Sequence, residues 1–185
     1  MAELPDGPWV WIDLEMTGLD PKTCTILEIA SIVTDTDCNV LAEGPDIVIH
    51  LSDTELATMS PWCIEHHGES GLTAASREST VSLAQAEEQT LEFLRQHTGP
   101  RRSALCGNSI GLDWRFIQAH MPTLDAFLAD QLIDVTTVKE LRKRWYPSAA
   151  KLPKAGGHRA LADIRESIEE LALYKRTIFV PSEAS

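Results

Sequence analysis

An apolar run broken by two acids opens the chain: Trp9-Val10-Trp11-Ile12-Asp13-Leu14-Glu15-Met16, closing on Thr17-Gly18. A short apolar stretch that ends in a turn signal reads as a buried strand. Ile26, Ile29, Ile32 and Val33 mark a second strand, about 25–35, and Val40, Ile47, Val48 and Ile49 a third, about 38–51. The polar Asp35-Thr36-Asp37 between them suits a hairpin. A segment rich in His, Gly and Ser, Trp62 to Ser82, reads as a loop. Leu83, Glu87, Leu91 and Leu94 recur at helical spacing, and Gly99-Pro100 closes that helix. A short strand, Ser103–Gly107, leads to a helix over Gly111–His120 that stops before Met121-Pro122. A further short strand, Gln131–Val135, runs into a helix through Leu141 to Trp145, ended by Pro147. The last helix, about 159–177, carries Leu161, Ile164, Ile168 and Leu171 on one stripe. The order β-β-β-α-β-α-β-α predicts an α/β fold, a mixed sheet flanked by helices.

Length and composition bound this picture. At 185 residues one domain is expected, with ordinary globular proportions of hydrophobic (43%) and charged (24%) residues. No apolar stretch is long enough to span a bilayer. The start, Met-Ala-Glu-Leu-Pro-Asp-Gly-Pro, has no positive and no apolar leader region, so a cytoplasmic protein is expected. Cys24, Cys38, Cys63 and Cys106 are scattered without metal-site spacing and read as reduced thiols. The net charge of −12 argues against long nucleic acid held by bulk charge alone. Charge is nonetheless uneven: Lys139, Arg142, Lys143, Arg144, Lys151, Lys154 and Arg159 stand together, either as a solvated face or as a phosphate landing site.

The chemistry begins with Asp13 and Glu15. Strand side chains alternate, so the two carboxylates share a face, roughly 6–7 Å apart along the chain. Buried carboxylates need compensation, and a hard divalent cation with oxygen ligands supplies it. Asp113 follows Gly107-Asn108-Ser109-Ile110-Gly111-Leu112 at a strand-to-helix junction; alone it reads first as an acid favoured by the helix dipole, and only second as a ligand. Asp163 lies off the apolar stripe of the last helix, and His158 follows Gly156-Gly157 in a loop. Together, four carboxylates and one histidine match two-metal phosphodiester hydrolysis, in which paired cations acidify a water and a histidine serves as its base.

At these residues the chain resembles the DEDDh group of 3′→5′ exonucleases, with its RNase H-like fold, and within it the oligoribonuclease family. The segments that carry the resemblance run from Trp11 to Pro21, Gly107 to Gly111, Ile133 to Leu141 and His158 to Ser167. It covers a single exonuclease domain, residues 8–180, leaving short tails at 1–7 and 181–185. It implies hydrolysis of short single-stranded RNA, chiefly dinucleotides, to 5′-mononucleotides with two Mg²⁺ or Mn²⁺ ions, in a homodimer without membrane attachment. Asp13, Glu15, Asp113 and Asp163 would hold the metals, and His158 would be the general base. Leu19 would wedge between bases and Trp62 would stack on one; Ser109, Thr136 and Thr137 would cap a 5′ phosphate.

The chain departs from that family just before its Ile-Asp-Val strand. A usual His-Tyr-Arg triplet is replaced by Ala129-Asp130-Gln131. In the family, the arginine belongs to the 5′-phosphate cap and the tyrosine reaches across the dimer. Gln131 offers a hydrogen bond there without the charged planar fork of arginine. Leu112 and Trp114 also replace polar or basic residues beside the motif aspartate. The expectation is an exonuclease with intact cleaving chemistry and altered 5′-end recognition. Rival readings are a DEDDh exonuclease on longer single strands or on a specialised nucleotide, an oligonucleotide binder that does not cleave, and a glycosidase-type acid pair. The last leaves Asp113, Asp163 and His158 unexplained.

Overall fold

The computed structural model describes residues 7–149 and 159–179. Its element order is β1 (Trp9–Met16), β2 (Ile26–Thr34), β3 (Val40–Val48), α1 (Asp53–Leu56), α2 (Pro61–Glu69), α3 (Leu72–Glu78), α4 (Leu83–Arg95), β4 (Leu105–Gly107), α5 (Gly111–His120), α6 (Pro122–Phe127), β5 (Leu132–Asp134), α7 (Val135–Trp145) and α8 (Ala160–Thr177). The five strands form one mixed sheet in the order β3-β2-β1-β4-β5. The first three strands are antiparallel neighbours, and β4 and β5 run parallel to β1. β1 is therefore central, which explains its apolar run.

The sheet is packed on both faces because β1 alternates two sets of side chains. Val10, Ile12 and Leu14 face a core completed by Leu56, Leu72, Leu91, Leu94, Phe116 and Leu124 from α1 and α3 to α6. Trp11 faces the other way, onto Ala160, Ile164, Ile168, Leu171 and Tyr174 of α8. Its indole N–H does not go unmet: it donates to Thr34 Oγ1 at 2.9 Å. Asp13 and Glu15 follow Trp11 at period two, so they lie on the α8 face.

The segment expected to be a loop, 62–82, instead contains α2 and α3. Its signals are local: Ser60 Oγ accepts from Cys63 N, Pro61 occupies the first turn, and Gly71 separates the two helices at φ +77°. With only Cys63 and His67 of α2 buried, the segment has little apolar periodicity to announce a helix. α1 and α6 are likewise short helices at a Ser52/Glu55 capping box and at Met121-Pro122. The third strand is shorter than expected, ending at Val48.

Candidate active site

Three of the five expected catalytic side chains converge within the described residues. One carboxylate oxygen each from Asp13, Glu15 and Asp163 lies within 4.8 Å of the other two. Asp163 comes from the first turn of α8, which packs on the face of β1 that carries the other pair. Asp113 is brought in differently. β4 pairs with β1 only at Val10 and Trp11, so it no longer covers Leu14. The amide of Leu14 donates instead to Asp113 Oδ1 at 3.0 Å, which pins the first turn of α5 to the central strand. Gly107 allows this close turn: a Cβ there would meet Ile12 O at 3.2 Å and Ile110 Cδ1 at 2.9 Å. His158 lies outside the described residues.

The electrostatics are those of a site short of positive charge. Burial, then repulsion from Asp113, Glu15, Asp163 and Glu28, holds the Asp13 carboxyl well above the usual carboxylate range. Burial followed by Asp163, Glu28 and Asp113 pushes Glu15 up to about 8, with Arg159 opposing. Burial raises Asp113 to about 7 despite the stabilising Leu14 amide. Clustered, oxygen-only, half-buried donors carrying excess negative charge suit a hard divalent cation, and the residues present fit one.

Two buried residues beside this cluster were missed by the sequence reading. Glu28 of β2 pairs directly opposite Glu15 and is completely buried. Its signal was available: an acid inside Ile26-Leu27-Glu28-Ile29-Ala30 invites the same question as Asp13. His67 of α2 is also fully buried, with Nδ1 3.8 Å from Glu15 Oε2 and Nε2 on Met16 O at 3.0 Å. No such signal existed for His67, because its helix was not expected.

The expected substrate contacts fall in two groups. Leu19 is 73% exposed in the turn after β1, and Trp62 is half exposed on α2. Ser60 N donates to Thr17 O at 3.1 Å, and with the His67 bond this fastens α2 to the end of β1. Trp62 stacks on His66 at 3.9 Å and meets His67 edge-on at 6.4 Å, one ring removed from Glu15. At the other side, Ser109 Oγ and Thr136 Oγ1 are 3.1 Å apart, and Asp134 Oδ1 accepts from both backbone amides. Lys139 Nζ reaches this network through Asn108 Oδ1 at 3.2 Å, which also accepts from Thr136 Oγ1. Thr137 is exposed on the next position of α7.

Gln131 takes no part in that network; its carbonyl accepts from Leu105 N, and it precedes Asp134 by about 10 Å of extended chain. Ala129 is buried. Asp130 is ion-paired with Arg101, whose guanidinium also donates to Leu128 O at 2.6 Å. Trp114 turns its indole N–H onto Asp125 Oδ1. Nor is the basic stretch a free cationic face. Lys139 pairs with Glu170, Lys143 and Arg144 with Glu140, and Arg159 with Glu28, while Arg142 is buried. Lys151 and Lys154 lie outside the described residues.

A mixed five-stranded sheet flanked by helices, with an acidic cluster on its central strand, has the RNase H-like fold. Residues 10–171 match the Exonuclease family. Exonuclease I, whose structure was described as suggesting how processivity is achieved, superimposes with a TM-score of 0.71 at 16% identity, over 94% of this chain and 42% of its own. E. coli exonuclease I in complex with a dA16 oligonucleotide gives the same values. The chain thus spans about two fifths of those proteins, and the likeness is one of fold.

Sequence relatives are much nearer. Oligoribonuclease of Marinobacter nauticus is 54% identical over 171 residues, 92% of this chain and 95% of that protein. Vibrio cholerae oligoribonuclease is 53% identical over 175 residues, 94% and 97% of the two chains. The mitochondrial oligoribonuclease of Mus musculus is 52% identical over 172 residues, 92% and 73%. The chain belongs to the oligoribonuclease family and is a 3′→5′ exoribonuclease of short oligonucleotides.

Proposed function

We propose that this exonuclease cleaves short single-stranded RNA at one two-metal site, and that its recognition of the 5′ end differs from that of its relatives. The carrying observation is the convergence of Asp13, Glu15 and Asp163 within 4.8 Å, with Asp113 pinned to the same strand. These four would hold two divalent ions, Mg²⁺ or Mn²⁺, which when bound would acidify a water and stabilise the leaving oxygen. An imidazole nitrogen of His158 takes the proton of that water. The water oxygen forms a bond to the terminal phosphorus, the bond to the preceding 3′ oxygen breaks, and a 5′-mononucleotide leaves. The leaving oxygen takes up one proton from solvent and His158 gives to solvent the one it accepted, so the step balances.

Leu19 and Trp62 receive the bases, and Ser109, Thr136 and Thr137 face the 5′ end, with Gln131 in place of a charged group. A Trp62→Ala variant is expected to raise KM about tenfold or more with kcat nearly unchanged, since a stacked base is typically worth about 1–3 kcal/mol. An unchanged KM removes Trp62 from the substrate. The domain occupies residues 8–180 with tails at 1–7 and 181–185, and works as a homodimer in the cytoplasm. Among the described residues no helix is long and apolar enough to cross a membrane.

The 5′-end reading rests on the replacement of arginine by Gln131 and on the engagement of Lys139 with Glu170 at 2.6 Å. The expected result is a shallow length preference from two to seven nucleotides and a kcat/KM that changes less than about tenfold on removing the 5′ phosphate, the loss of one charge-assisted contact. A sharp dinucleotide optimum with a strong 5′-phosphate requirement overturns it.

A further inference from the structure

We infer that Glu28 and Arg159 form a latch that positions Asp163 against β1; both are positioning residues for the reaction. Glu28 is a completely buried carboxylate on β2, beside the central strand and opposite Glu15. Its Oε1 accepts from Arg159 Nε at 2.8 Å and lies 2.6 Å from Arg159 Nη2. Its Oε2 accepts from the amide of Ala160 at 3.0 Å. Ala160 is the first residue of α8, and the N-cap residue, Arg159, gives that helix no side-chain cap. Glu28 therefore caps α8 from another element, satisfying an otherwise orphaned amide and placing negative charge at the positive end of the helix.

The next bond carries this fixation to the site. Asp163 N donates to Arg159 O at 3.1 Å, the first turn of α8. One carboxylate on β2 thus determines where α8 starts, and α8 places Asp163 one turn later beside Glu15. Stability alone does not account for such a pair. Buried ion pairs are commonly matched or exceeded by apolar replacements, because desolvation offsets their attraction. Partners that orient metal ligands, by contrast, typically govern affinity and turnover by 10–100-fold.

The inference rests on the proposal that Asp163 holds metal, so its test carries Asp163→Asn as a reference. Turnover of a short RNA and Mn²⁺ affinity by electron paramagnetic resonance are measured for Glu28→Gln, Arg159→Gln and Arg159→Lys. Glu28→Gln keeps the shape but turns an amide NH₂ towards donors. Both glutamine variants are expected to lose roughly 10–100-fold in kcat and about tenfold in Mn²⁺ affinity, with KM within about twofold. Arg159→Lys, which keeps the charge and one donor, should recover most of that loss. Arg159 is 39% exposed, so its variants decide the matter if Glu28→Gln does not fold. A folded Arg159→Gln with parental kcat and Mn²⁺ affinity, merely less stable, overturns the latch. If Asp163→Asn itself retains turnover and Mn²⁺ binding, the metal reading of Asp163 falls instead.

Discussion

Replacing Asp13 by asparagine is expected to abolish turnover while making the metal-free protein more stable. Asp13 lies within 4.8 Å of Glu15 and Asp163 and is repelled by Asp113 and Glu28 as well. Asparagine keeps the shape and one oxygen but removes the charge that a hard cation needs. The loss in kcat should be on the order of 10³-fold or more, because the step depends on acidifying the attacking water and stabilising the leaving oxygen. Stability should move the other way. Without metal, burial and four neighbouring carboxylates oppose the charged form of Asp13, so an uncharged side chain relieves that repulsion. A rise of a few degrees in Tm of the metal-free protein at about pH 8 is expected. Activity within about tenfold of the parent sinks the assignment of Asp13 as a ligand. A fall in Tm together with lost activity shows instead that the variant is misfolded.

The second large effect is a fall in stability with rising pH that bound metal removes. Glu15 and Asp113 have folded values of about 8 and about 7, raised by burial above their ordinary 4.5 and 3.8. In that window the folded state binds more protons than the unfolded one, so stability falls as pH rises. The contribution of Glu15 is fully present below about 4.5 and is lost as pH passes about 8. Carboxylates shifted the other way act elsewhere: Glu140, lowered to about 2 by Lys143 and Arg144, loses its contribution only as pH falls from about 4.5 towards 2. The metal-free protein should therefore lose on the order of 5–10 °C in Tm between about pH 5 and about pH 8.5. Saturating Mn²⁺ should remove most of that slope by binding the deprotonated set in the folded state alone. Calorimetric scans with chelator and with Mn²⁺ decide it; parallel profiles of the two would exclude these carboxylates as the metal site.

Much of this was legible from local pattern. The central strand announced itself because α8 covers one of its faces and α1 and α3 to α6 cover the other, leaving an apolar run in which two acids stand out. Helices α4, α5, α7 and α8 followed from spacing and breakers. Helices α2 and α3 did not, since they bury few side chains and depend on Ser60, Pro61 and Gly71. The basic residues after position 138 look like a cationic patch in one dimension, yet Glu140, Glu170 and Glu28 neutralise four of them from three elements.

By itself the sequence pointed to the class of chemistry through a family resemblance at Asp113, Asp163 and His158, and it determined which residue types are present and that Asp13 and Glu15 share a face. Those follow from residue identity and a strand period of two, which need no knowledge of distant chain segments. Only the tertiary structure decided which carboxylates meet, that the amide of Leu14 holds Asp113, and that Glu28 caps α8 beside Glu15. Glu28 and Ala160 are 132 positions apart, and such contacts depend on sheet order and helix placement. No local periodicity encodes them, because a carboxylate's partner is chosen by burial and proximity in the folded core.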